Sequence, residues 1–497
     1  MTEATAPFLL WRASNVSVDH DGRRLIGGSP QRIMTLSPSG ARLVAGWFTG
    51  EPVGPEPAHQ ALARRLVEAD LALPVGQRRG IGTTDLAVVI PVKDDPEGLT
   101  ATLAAFDNAR LRPPEPGSRT AAVSRIVIVD DGSDPPVDPA IGDRLGVSTE
   151  FTVVRRSTSA GPGNARNLGV RYVEAPMIVF VDAGVVVTED QLHTLADELC
   201  IGDTVAAAPR VRSEILPTRL ARYERTWSPL DLGQEPGLVG PGRRISYVPS
   251  TCLAVRTSAL IESGGFDPGL RFGEDVDLVW RLGVRGWVRY VPSVEVTHPP
   301  RSTLGGFVRQ RYRYGTSAGP LSRRHGWAVA PARLDSRSAA TWAALVTGFR
   351  LPAALIAVSA TVVYIASLIR RGVPPRRAAR MVTAGWIGTT RGLALSTART
   401  WWPLAALAAT RPRFRLAPCL LIVGWLRRAR WRRPVRPNTD RADAGALFPD
   451  LGTELALGVV DDSAYALGVW RGSIRARTMK PLLPHIPIGR SRSATER

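Results

Sequence analysis

Lysine is nearly missing from this chain. Only Lys93 and Lys480 occur, so arginine supplies almost all of the 64 basic side chains that outnumber 44 acids. The resulting formal charge of +20 and pI near 11.1 are what GC-rich coding also yields, so basicity alone does not predict a nucleic-acid partner. Cysteine is scarce too. Cys200, Cys252 and Cys419 are far apart and odd in number, which excludes a disulfide framework or a zinc site and predicts a reducing compartment. The amino terminus lacks the basic residues and apolar length of a signal peptide, so the chain is expected to begin in the cytosol. The composition is not that of a disordered chain: 44% hydrophobic and 22% charged residues are globular values, and 497 residues suffice for two or three cores.

A second scarcity is local. Residues 339–437 hold no aspartate, glutamate, lysine or histidine, yet carry 17 arginines, whereas a soluble helical domain interleaves acids with its bases. Inside that stretch 351–369 (LPAALIAVSATVVYIASLI) is uncharged for 19 residues, about the length that crosses hydrocarbon. Residues 338–437 are therefore expected to be an arginine-rich, membrane-associated helical region with 351–369 as a transmembrane candidate. Tryptophan beside arginine, at Trp401, Trp402, Trp425 and Trp431, is an interfacial pattern. Arginines flank the apolar run on both sides, so charge does not choose an end; an in-plane or re-entrant arrangement on the cytoplasmic leaflet satisfies both flanks. The competing reading is a buried core helix followed by basic surface helices. The expected location is the cell membrane, with the domain ahead of this region on the cytoplasmic side.

Residues 1–78 read as a separate unit: strand-like segments near 8–11, 16–18 and 33–36, then a helix opened by Ser37-Pro38. Strands, two amphipathic helices and a closing turn at 69–73 suggest a winged-helix-like module, and 77–84 a polar linker. From residue 85 the pattern changes. Branched aliphatic runs at 86–90, 126–129 and 177–181 suit parallel strands buried on both faces, with 151–154 as an edge partner and helices near 99–109 and 165–173. An α/β sheet domain is expected over 85–317. Residues 438–497 carry less pattern: Asp461-Asp462 suits a helix cap, Trp470-Arg471-Gly472 a turn, and 491–497 reads as disordered.

Chemistry gathers where the strands end. In a parallel sheet the carboxyl ends of the strands face one crevice, and here they deliver Pro91-Val92-Lys93-Asp94, Asp130-Asp131-Gly132-Ser133 and Asp182-Ala183-Gly184. One aspartate of the Asp-Asp-Gly-Ser turn is free to cap and the other to accept hydrogen bonds from a ligand. Gly161-Pro162-Gly163-Asn164-Ala165-Arg166-Asn167 sets a glycine turn before a helix bearing Arg166, a combination suited to a diphosphate. The glycines do not spell GxGxxG, which disfavours a dinucleotide fold. Glu274, Asp275 and Asp277 crowd a helix start, where capping alone accounts for acids. His298 ends a strand, and Arg309 and Arg311 belong to a cationic run.

Taken in order, the VVIPVKD, VDDGS, GPGNARN, FVDAG, GGFD and GEDVDL segments resemble the inverting glycosyltransferase family 2, whose fold is GT-A (Rossmann-like), over about residues 85–315. The resemblance implies that Asp131 binds the uracil of a UDP-sugar donor with Pro91 beside it, and that Arg166 lies by the diphosphate. It implies Asp275 as the general base, with Asp94, Asp182, Glu274, Arg309 and Arg311 in the substrate-binding set. A divalent metal, Mg²⁺ or Mn²⁺, is expected on Asp182 and His298. The family's DxD motif reads Asp182-Ala183-Gly184 here, so one acid is a glycine. The first 78 residues look like the PqqD-type peptide-recognition domain. The fused arrangement is similar to the branch of the family serving the mycofactocin system of actinobacteria. That likeness implies glucose transfer to a peptide-derived redox cofactor precursor, building a β-1,4-linked glucan, with precursor peptide or other maturation proteins as partners of residues 1–78 and membrane lipid as a further one. No nucleic acid is expected. The alternatives are a membrane enzyme acting on polyprenyl phosphate or cell-wall glycan, and a non-catalytic scaffold.

Overall fold

Ser37 starts the first helix as its sequence demands: its hydroxyl accepts the Gly40 N–H at 3.1 Å and Pro38 opens the first turn. The computed structural model describes residues 8–76, 86–107, 123–145, 149–430 and 451–487; the expected linker 77–84 and tail 491–497 lie outside them. In the amino-terminal module β1 (Leu9–Arg12) pairs antiparallel with β5 (Ala72–Val75), while β2 (Ser17–Val18), β3 (Arg24–Gly27) and β4 (Arg32–Thr35) form an antiparallel three-stranded sheet. Helix α1 (Pro38–Phe48) packs against β1 and helix α2 (Pro57–Glu68) against β5. Strand β3 is absent from the sequence expectation because only Leu25 and Ile26 mark it between turns. The module's core of Leu10, Leu25, Val44, Trp47, Leu66 and Leu71 continues into Ile201, Leu238 and Trp287 of the following domain. Each such buried side chain contributes about 1.5–3 kcal/mol, so the two share one core. Arg243 adds a clamp, bonding the Asp70 carboxylate and the Glu68 carbonyl, both at 2.8 Å.

The following domain is a mixed eight-stranded sheet in the order β11-β13-β10-β12-β9-β6-β7-β8. Its elements are β6 (Leu86–Val92), α3 (Pro96–Asp107), β7 (Arg125–Asp130), α4 (Ile141–Arg144), β8 (Glu150–Arg155), α5 (Pro162–Val170), β9 (Met177–Val181), α6 (Glu189–Glu198) and β10 (Thr204–Ser213). After α7 (Arg219–Trp227) come β11 (Gly237–Leu238), β12 (Cys252–Arg256), α8 (Thr257–Glu262), α9 (Glu274–Arg285) and β13 (Trp287–His298). Strands β8, β7, β6 and β9 are parallel; β6, β7 and β9 are the buried aliphatic runs, and the half-buried β8, interrupted by Thr152, is the edge. The antiparallel β12 then joins β9 to β10. This is a GT-A-like α/β fold.

The chain divides into two compact units, Met1–Ile215 with Trp227–Pro300, and Leu216–Thr226 with Arg301–Arg497. The break after Pro300 precedes the expected end at 317, because α10 (Leu304–Thr316) packs on the carboxy-terminal helix. In this second unit follow α11 (Ala318–His325), α12 (Ser336–Val346), α13 (Arg350–Arg370), α14 (Pro375–Ser396), α15 (Trp402–Ala408), α16 (Leu416–Arg430) and α17 (Leu451–Arg475). Helices α10 and α17 approach so closely that a Cβ on Gly315 would collide with the Tyr465 carbonyl, and one on Gly468 with that of Tyr312. Asp461 and Asp462 are not a cap. They sit buried in the middle of α17, where Asp461 accepts from Tyr223 at 2.9 Å and faces Arg311 at 3.3 Å. Helix α13 has the length and hydropathy of a membrane span, and 11% of its apolar window is buried.

Candidate active site

Two turns at the ends of β6 and β7 are stitched to each other. The Asp94 N–H donates to Ser133 Oγ and Asp94 Oδ1 accepts the Asp134 N–H, both at 3.0 Å. Asp94 takes a left-handed φ of 51° to do so, a conformation an aspartate tolerates better than most residues. Pro91 is buried beside Val129 in the paired strand. Asp130 is fully buried and accepts from the Ser133 and Val137 amides at 2.8 and 3.1 Å. Burial pushes its carboxyl up, but those bonds and Arg155 outweigh it and hold the group below the usual range.

Asp131 departs from the expected free acceptor for a base. Its carboxylate receives Ser159 Oγ at 2.7 Å, the Ala160 N–H at 3.0 Å and the Gly161 N–H at 2.8 Å, with Arg156 at 3.3 Å. Those bonds occupy most of its acceptor capacity and shape the glycine turn that opens α5. From α5, Asn167 reaches the Gly-Gly-Phe-Asp turn: its Oδ1 accepts the Phe266 N–H at 2.9 Å and its Nδ2 donates to the Phe266 carbonyl at 2.7 Å. No sequence motif marks Asn167 for this contact; the Asn-Ala-Arg-Asn spacing only puts it one residue after the arginine, on the adjoining face.

Arg166 also departs from expectation. It is 2% exposed, and its guanidinium bonds Asp182 and lies 3.5 Å from Glu274, 5.3 Å from the centre of the Phe266 ring. An arginine so enclosed holds acids together inside the protein; it does not present a free face to a diphosphate. Around it stand three carboxylates. Burial, then the charge of Asp275, raises the Glu274 carboxyl to about 7 against the pull of Arg166. Burial likewise raises Asp275, against the Val276 N–H that it accepts at 2.8 Å and against Arg166. Asp277 is separate and structural: buried, it pairs with Arg281, which also donates to the Gly265 carbonyl at 2.7 Å.

Asp182 and His298 come to the same end of the sheet. Val186 donates to the Thr297 carbonyl at 2.9 Å, and a Cβ on Gly184 would lie 3.3 Å from Pro299. With φ at 88° and that neighbour, position 184 suits glycine and not the family's second acid. Among the described residues no three His, Cys, Asp or Glu side chains gather to hold a metal. A carboxylate and an imidazole fit a hard divalent ion only where a substrate diphosphate and water supply the remaining ligands, which is how Mg²⁺ is commonly held. Arg311 belongs to the second unit, is 2% exposed, and spends its charge on Glu224 at 2.8 Å. Arg309 is an exposed residue of that same unit.

Residues 87–264 match the profile of "Glycosyl transferase family 2", which stops short of Glu274 and Asp275. The whole chain is similar to "Pre-mycofactocin glycosyltransferase" of Mycobacterium tuberculosis, 32% identical over 495 residues that cover 95% of this chain and 96% of that one. A shorter likeness, 39% over 106 residues covering 19% of this chain and 33% of the other, is to "N-acetylglucosaminyl-diphospho-decaprenol L-rhamnosyltransferase" of the same organism. Among solved structures, the mannosyltransferase PcManGT of Pyrobaculum calidifontis with GDP-Man and Mn²⁺ aligns at 17% identity and a TM-score of 0.34, covering 71% of this chain and 90% of that one. GalNAc-T7 with UDP, GalNAc and Mn²⁺ aligns at 17% and 0.33, covering 48% and 51%.

Proposed function

Because the chain belongs to glycosyl transferase family 2, we propose that it transfers glucose from UDP-glucose, with inversion, onto a peptide-derived redox cofactor precursor of the mycofactocin type and builds a β-1,4-linked chain. The full-length likeness to the pre-mycofactocin enzyme carries this reading.

In the proposed reaction Asp275 accepts the proton of the acceptor hydroxyl as that oxygen attacks the anomeric carbon from the face opposite the diphosphate. The bond from carbon to the diphosphate oxygen breaks and its electron pair leaves with UDP. Burial of Asp275 raises its affinity for the proton it must take. Arg166 holds Asp182 and Glu274 in place beside it. Asp131 shapes the glycine turn against the base, with Pro91 and Asp94 forming the neighbouring wall. Asp182 and His298 would hold Mg²⁺ or Mn²⁺, which offsets the charge developing on the diphosphate. The module before residue 78 is proposed to be a PqqD-like winged-helix unit that engages a precursor peptide or another maturation protein.

Proton NMR of the product tests the stereochemistry: the α-linked donor should yield a β-glucoside, and an α-linked product would rule out inversion. The second reading, a polyprenyl-phosphate acceptor, is favoured by the local likeness to the diphospho-decaprenol enzyme; it predicts sugar on lipid and none on the cofactor precursor.

A further inference from the structure

Helix α13 is built inside out. Its small residues Ala353 and Ala360 are buried, at 1% and 0% exposure, while Leu351, Leu355, Val358 and Val362 are 71%, 63%, 64% and 60% exposed. These four follow one another at steps of four, three and four, a single stripe along the helix. A core helix of a soluble protein places its large apolar side chains the other way. The same outward placement recurs at Leu404 and Leu407 on α15 and at Ile422, Val423 and Leu426 on α16.

The rest of the unit runs along α13 and does not leave it projecting alone. Near the carboxy-terminal end, Tyr364 donates to Asp335 and stacks under Arg337, 5.7 Å from its ring centre. Leu334, one residue before, donates to the His485 carbonyl at 3.0 Å. Closer to the middle, Trp386 donates to Thr361 at 3.0 Å. Arg391 is exposed on α14 five residues beyond Trp386, about 7.5 Å along the helix. A helix crossing hydrocarbon here would carry Asp335, Arg337 and Arg391 in with it, and each charge near the centre is costly. A helix lying flat leaves them on the water side.

We propose that the second unit seats on an anionic lipid bilayer with α13 lying in the plane of the headgroup boundary, its Leu351 to Val362 stripe inserted and both ends on the same side. The partner is set by charge: residues 339–437 offer 17 arginines and no acid, and anionic headgroups supply the opposite sign. Stripe insertion of this kind reaches about 5–10 Å below the headgroups. This seat is independent of the sugar, the acceptor and the stereochemistry proposed above.

Flotation of the full-length protein, after detergent removal, with phosphatidylglycerol-containing and pure phosphatidylcholine vesicles tests it. Co-flotation is expected with the first, falling at high salt, and the double substitution Leu355→Glu, Val358→Glu should lower it by at least about tenfold with UDP affinity unchanged by calorimetry. No co-flotation, or co-flotation insensitive to those substitutions, overturns the proposal. So does a lipid-free oligomer that dissociates in the double variant while vesicles stay empty, which would make the stripe a contact between copies. Orientation is read separately, with the stripe intact. In a Cys419→Ser background, Arg350→Cys and Arg371→Cys should both react with an impermeant thiol reagent added outside the vesicles; protection of one end means the helix crosses.

Discussion

One guanidinium is shared by two acids from distant parts of the chain: Arg166 on α5 bonds Asp182 at the end of β9 and lies 3.5 Å from Glu274 at the start of α9. This cation keeps the carboxylates around Asp275 close without letting them repel the site apart. Replacing it by the similarly sized, neutral Met should destabilise the fold by about 3 kcal/mol, the scale for breaking a buried pair. Thermal denaturation checks the loss, and the Glu274 carboxyl should rise further above about 7.

Glu274 makes stability depend on pH with a definite sign. Its carboxyl is raised from 4.5 to about 7 in the folded chain, so the folded state holds a proton that the unfolded state releases. Stability should therefore fall as pH rises from about 4.5 through about 7 and then level, a difference on the order of 3 kcal/mol. Asp275 is raised in the same direction and steepens the fall. Melting curves from pH 5 to 8 measure it, and Glu274→Gln should flatten them; an equal slope in that variant would remove Glu274 as the cause.

Asp131→Ala removes the acceptor for Ser159, Ala160 and Gly161 at once. UDP affinity should weaken by about tenfold or more, since hydrogen bonds to a charged group contribute about 1.5–3 kcal/mol each. Titration calorimetry with UDP gives the number. Unaltered affinity would mean the glycine turn does not meet the nucleotide.

A site with two protein donors should bind metal weakly alone and better with the nucleotide. Calorimetry of Mn²⁺ is expected to show little heat for the free protein and clear binding in the presence of UDP, with Asp182→Asn and His298→Ala both reducing it. Binding of UDP that is indifferent to Mn²⁺ and to chelator would exclude the ion from the donor complex.

The strand ends were the legible part of the sequence, since continuous aliphatic runs at 86–90, 126–129 and 177–181 have one structural use, and each runs into the turn it positions. What the motifs did not reveal was where charges are spent. Neither Arg166 nor Arg311 has an acid close by in sequence, so burial and long-range partners decide their roles: Glu274 stands 108 residues from Arg166, and Glu224 stands 87 residues from Arg311. No spacing rule reaches that far. Helix α17 was hidden for a related reason. Its buried Asp461 and Asp462 break the apolar pattern and become reasonable only once Tyr223, Arg311 and Arg399 are brought against them.

Mass spectrometry of the products formed from UDP-glucose and the tyrosine-derived mycofactocin core, with polyprenyl phosphate offered in parallel, is the most direct test of the central claim. The account predicts a ladder of hexose additions on the core, reduced by about 10²–10⁴-fold in Asp275→Asn, the range for losing a general base, with UDP affinity intact. Sugar on the lipid alone would contradict the acceptor, undiminished turnover in Asp275→Asn would contradict the base, and transfer to neither acceptor would contradict the proposed activity itself.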